Sequence, residues 1–190
     1  MPLLPVFLLS GVAALLYQLV WQRALFAIYG IDTASVTIVV SAFMLGLGAG
    51  SLLGGALSRR LPPLPLFASF ELAIGAFGAF SLDLFGAVGR ATLGASHLAT
   101  AALTLGLVLV PTMLMGATLP LLVAHRVAQT RNTGRSVGAL YFANTLGAAL
   151  GCFLAGAFLL RALGMQGAAR AAATLNALLG VAVLLFGRRA

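Results

Sequence analysis

The sequence predicts an all-α integral membrane protein, a bundle of about six membrane-spanning helices with no soluble catalytic domain. Three observations carry that prediction. Hydrophobic residues make up 62% of the 190 and charged residues 7%, with a mean hydropathy of +1.12, where soluble proteins are roughly a quarter charged. A spanning helix takes about 20 apolar residues, so the length allows about six spans with short loops and little else. Finally, the few charges sit mostly at the ends of the apolar runs.

In chain order, the predicted spans are Leu3 to Val20, Ser35 to Leu57, Leu66 to Phe85, Leu98 to Ala124, Gly138 to Leu160 and Gly167 to Phe186. The first lacks the basic leader of a signal peptide, and further apolar runs follow it. After the second come Arg59 and Arg60 with Pro62, Pro63 and Pro65, and after the fourth the polar run His125 to Arg135; both are read as loops. The fourth span holds Pro111 and Pro120, each of which frees a carbonyl, so the helix is expected either to kink or to break as in transporter sites.

All eleven basic residues are arginine, and with Asp32, Glu71 and Asp83 opposing them the net charge is +8. In a soluble chain that balance suggests nucleic acid. Here the arginines sit where headgroups are, so the lipid bilayer is the expected partner and nucleic acid is not. Arg59, Arg60, Arg126, Arg131, Arg135, Arg188 and Arg189 fall on one side, against Arg23, Arg90, Arg161 and Arg170 with Asp32 and Asp83 on the other. The positive-inside rule then puts both termini in the cytoplasm, and a bacterial inner membrane is the expected location. The single Cys152 gives no disulfide framework. His97 and His125 at span ends have no ligand partner at metal spacing, so neither metal nor cofactor is expected.

The second and fifth spans share a glycine spacing, Gly46, Gly50, Gly55 and Gly147, Gly151, Gly156. Each is the middle member of a three-span group, and the two run in opposite directions, which predicts two inverted three-helix repeats. The same small residues serve wherever membrane helices touch, and a homodimer contact through both stripes is expected. Gly46-Leu47-Gly48-Ala49-Gly50 resembles a nucleotide-binding turn only superficially, having neither a preceding strand nor a following acidic residue.

Glu71 is the one carboxylate clearly inside a span, roughly 8 Å below the cytoplasmic boundary, and Asn144, Tyr141 and Thr118 count to roughly 5 to 11 Å. A carboxylate in hydrocarbon is costly unless paired or hydrated, so Glu71 should face the bundle interior. Two readings stand: a cation or proton site with Asn144, Tyr141 and Thr118 as partners, or a helix-packing hydrogen bond with Glu71 tied to Arg59 or Arg60. A second polar group, Tyr17, Gln18, Trp21, Gln22 and Arg23, forms a stripe by its i, i+4 pairs. Trp21 and Arg23 are expected as interfacial anchors. Alternatively Tyr17 and Gln18 line a cavity to which Arg23 draws an anionic group.

Ser10 to Arg23, Met115-Gly116-Ala117-Thr118-Leu119-Pro120 and Leu140 to Gly147 resemble the membrane part of the fused major-facilitator/spermidine-synthase-like proteins, over nearly the whole chain. The resemblance implies a half major-facilitator bundle. Gly54-Gly55-Ala56-Leu57-Ser58-Arg59-Arg60 is similar to that superfamily's loop signature, with Ser58 where an aspartate is usual and no glycine after the arginines. Family members typically add a spermidine-synthase-like domain, whereas these residues hold the membrane part, so no catalytic or adenosylmethionine-binding part is expected. Two functions follow as expectations: a transporter-like protein acting as a dimer or with a partner to move a small solute, or a non-transporting scaffold for a separately encoded spermidine-synthase-like aminopropyltransferase.

Overall fold

A computed structural model describes residues 3–30 and 32–187. Arg188 and Arg189, which enter the orientation count, lie outside the described residues, as does the side chain of Asp32. The described chain is all helical: α1 (Leu3–Tyr29), α2 (Asp32–Leu57), α3 (Pro63–Ala91), α4 (His97–Thr130), α5 (Thr133–Leu154), a π-helical turn (Ala155–Leu159) and α6 (Leu160–Phe186). Among the described residues, five uninterrupted stretches are long and apolar enough to cross a membrane. The protein is an integral membrane protein.

Five rather than six is the count because Thr133–Phe186 is one helical stretch of 54 residues. No loop separates the fifth and sixth predicted spans. Its one non-helical residue is Gly164, at φ 66°, ψ −176°, a conformation that side chains with a Cβ rarely reach. The contacts give its consequence. Leu8 and Val12 of α1 meet Gly147 and Gly151 of α5 in rising order, so α1 and α5 are parallel. Ser10 meets Glu71 and Tyr17 meets Gly78, so α1 and α3 are parallel too. Along α6, Asn176 meets Glu71 while Gly180 meets Ala68 and Leu72, so α3 and α6 are antiparallel. The chain therefore reverses between α5 and α6.

Other ends are set locally. Pro63 opens α3 in its first turn, where a missing N–H costs nothing. Ser96 caps α4 by accepting from the Ala99 amide, and Asn132 caps α5 by accepting from the Arg135 amide. The expected loop from His125 to Arg135 is mostly helix: α4 runs on to Thr130, and Arg131 closes it in the left-handed region at φ 52°. Pro111 and Pro120 lie inside a continuous α4, so the helix is not broken.

The main pairings are α2 on α4, α1 on α5 and α3 on α6, with α3 also on α4 and α6 also on α1. Four of the expected packing glycines work within the chain. A Cβ on Gly46 or Gly50 would strike Thr112 or Met113 of α4, and one on Gly147 or Gly151 would strike the backbone of Leu8 or Val12 in α1. These faces are occupied, so they are not available to a second copy. Gly55 and Gly156 face open space. Gly54, one residue along and hence about 100° round the helix, meets Ala117 instead.

Trp21 is not an interfacial anchor. It is fully buried in mid-α1, stacked on Tyr17 at 5.1 Å and set edge-on to Phe77 and Phe85. Its helix continues two more turns to Tyr29, which removes it from the end that the sequence suggested.

Candidate functional site

Glu71 sits on the face of α3 that meets α1 and α6, and it is 0% exposed. Ser10 of α1 donates its hydroxyl to Oε1 at 2.7 Å, and Asn176 of α6 donates Nδ2 to Oε2 at 2.5 Å. Two charge-assisted hydrogen bonds offset much of the desolvation of a buried carboxylate. Arg59 and Arg60 take no part: both are exposed, and the Arg59 Nε donates to the Gly55 carbonyl oxygen.

Beside Ser10 and Asn176 lies a cavity of about 210 Å³, bordered by residues of α1, α2, α4, α5 and α6. Its polar border is Ser10, Ser51, Thr118, Tyr141, Asn144 and Asn176. Three of the four residues expected to share a layer are thus together, with Glu71 behind them. The expected Glu71–Asn144 pair is not formed. Asn144 is half-buried on α5 beside Gly11, and the amide that reaches Glu71 belongs to Asn176. Thr118 turns back on its own helix, donating to the Met115 carbonyl oxygen at 2.6 Å. Tyr141 is 61% exposed along the open side of the cavity.

The second predicted group does not join the first. Tyr17 is wholly buried with its ring against Gly78, and Gln18 and Gln22 are half-buried. Arg23 is exposed. None of Tyr17, Gln18 and Arg23 borders the cavity beside Glu71. His97 is exposed at the start of α4, and His125 is in contact with Gln129 one turn on. Among the described residues no group of His, Cys, Asp or Glu is arranged to hold a metal.

Sequence reasoning missed Asn176, although a lone amide in the apolar run 167–186 was a usable signal. The helix α3 begins at Pro63, three residues earlier than expected, which sinks Glu71 by about 4.5 Å toward the depth of Asn176. The chain matches no family model, and neither curated proteins nor solved structures give a match.

Proposed function

We propose that this chain is a transporter-type membrane protein of six spans, built as two inverted three-helix units and forming half of a major-facilitator-like carrier. The observation that carries the reading is the buried Glu71 set directly behind a polar cavity. Such a carboxylate is costly in hydrocarbon, and within membrane segments ionisable residues mark substrate, ion or proton pathways by default. Exchanging α1–α3 with α4–α6 turns the α2–α4 pairing into α5–α1, and α3–α4 into α6–α1, while α3–α6 maps on itself. That exchange supports the two-unit reading.

The cavity is open on one side. Tyr141, Asn144 and Ser51 on its open side would meet lipid in a lone chain, so a second copy or a second membrane half is assigned to cover them. No reaction is assigned to the chain. The arginine count supports cytoplasmic termini, and the membrane proposed is a bacterial inner one. A reporter active only outside the cytoplasm, fused after Ala190, should stay silent; activity there would reverse the orientation.

The test of transport is Glu71→Gln, which keeps the shape and removes the charge. In reconstituted vesicles the variant should fold and lose solute flux or its dependence on pH. Unaltered flux would reduce Glu71 to a packing residue. The scaffold reading draws on the complete pairing of both Glu71 oxygens, which packing alone requires. It expects vesicles bearing this chain to retain a soluble spermidine-synthase-like aminopropyltransferase, with or without Glu71.

A further inference from the structure

Resting on the transport reading for its setting, we propose that the cavity beside Glu71 takes a small cation with N–H donors, such as a protonated primary amine. The cation is exchanged for a proton, and the side-chain amide of Asn176 couples the two. The hydrogen bonds fix how that amide points. An ionised carboxylate only accepts, so Asn176 gives Nδ2 to Glu71 and its Oδ1 is turned elsewhere. That Oδ1 is buried and has no partner, on a side chain 2% exposed. A buried carbonyl left unpaired is unfavourable. Asn176 borders the cavity, and with Nδ2 committed, Oδ1 is the polar atom it has left to offer there.

What the oxygen lacks is a donor. Among the described residues that border the cavity none is basic, and Ser51, Tyr141 and Asn144 add acceptor oxygens there, while their own hydroxyl and amide donors make no hydrogen bond to Oδ1. The Glu71 charge lies one side chain behind. Acceptors backed by a negative charge select a cation that can donate hydrogen bonds over an anion or a cation without N–H groups.

Protonation reverses the arrangement. A hydronium ion reaching the cavity transfers its proton to Glu71, forming an O–H bond on Oε2 and leaving as water. The carboxyl then has a hydrogen to donate, which Nδ2 cannot accept. Half a turn of the amide about Cβ–Cγ brings Oδ1 to the carboxyl O–H and swings Nδ2 to the cavity. The cation loses both its acceptor and the charge behind it, and leaves as one positive charge for one. Tyr17 of α1, beside Gly78 two turns along α3, is the other titratable group on this side of Glu71. From α6, Arg161 and Arg170 are exposed, and from α4, His125 borders a separate cavity with Pro62, Pro63 and Pro65.

The test is an infrared pH titration of the full chain in lipid vesicles, with isotope-labelled asparagine. Only three asparagines are present, Asn132, Asn144 and Asn176. An asparagine carbonyl band should shift with the same midpoint as the Glu71 carboxyl band. Both changes should vanish in Glu71→Gln, and the asparagine change alone in Asn176→Ser. Methylammonium, used as the probe, should be expelled through that midpoint and bind at least about tenfold more weakly to Asn176→Ser, the loss expected for one hydrogen bond to a charged donor. Tetramethylammonium should bind wild type as weakly. A Glu71 band that titrates while the asparagine bands stay still overturns the switch, as does equal binding of the two cations. If Asn176→Ser does not fold, the labelled wild-type titration decides alone. Flux is a separate readout: flux unaltered in Glu71→Gln strikes the transport reading, and a still asparagine band strikes only the switch.

Discussion

Replacing Gly151 by alanine tests how α1 and α5 are held together. The added Cβ would lie 2.5 Å from the carbonyl oxygen of Val12 and 2.9 Å from its Cα, where ordinary contact begins at 3.4 Å. Both atoms are backbone, so no rotamer relieves the clash. The helices must part by about 0.9 Å, the difference between 3.4 and 2.5 Å. A gap of that size forfeits roughly a quarter to a half of each contact energy along the seam. Overpacking of this kind costs about 1–3 kcal/mol, a fall in melting temperature of roughly 2–12 °C for a chain of this length. Gly55→Ala is the control, because its Cβ meets nothing within 4 Å. The assay is thermal unfolding of both purified variants in one detergent, with oligomer mass measured alongside. Gly151→Ala should melt lower than Gly55→Ala whatever the oligomer mass. Equal melting temperatures would refute the close backbone approach, and a loss of dimers with unchanged melting would return the stripe to a contact between copies.

Further outcomes follow from the buried groups. Glu71→Leu strands the Ser10 hydroxyl and the Asn176 amide, each worth about 1–3 kcal/mol when unpaired, so it should melt well below Glu71→Gln; matching curves would deny the pairing. The single tryptophan, Trp21, is 0% exposed, so its fluorescence should resist both acrylamide and brominated lipids, whereas an interfacial anchor would be quenched. Gly164→Ala forces a Cβ into the conformation at φ 66°, at about 1–3 kcal/mol, and should weaken the return of α6 onto α3, read as faster proteolysis near that residue; wild-type resistance would place the turn elsewhere.

Much of this molecule could be read without coordinates. Hydropathy alone established a membrane protein, because no water-soluble fold hides 62% hydrophobic residues among 7% charged. The cost of a carboxylate in hydrocarbon put Glu71 inside the bundle before any contact was known, and it is fully buried. What the sequence could not decide was direction: which face of each helix points inward and at what height two helices meet. In a soluble helix the polar face marks the outside, but in lipid both faces are apolar, so the pattern that orients a helix is missing. Hence Gly54 and not Gly55 touches α4, Trp21 lies in the core instead of at an interface, and the partner of Glu71 is Asn176, 105 positions away, rather than Asn144. A rotation of about 100° per residue and a rise of about 1.5 Å turn small boundary errors into wrong partners, and only the packed bundle sets both.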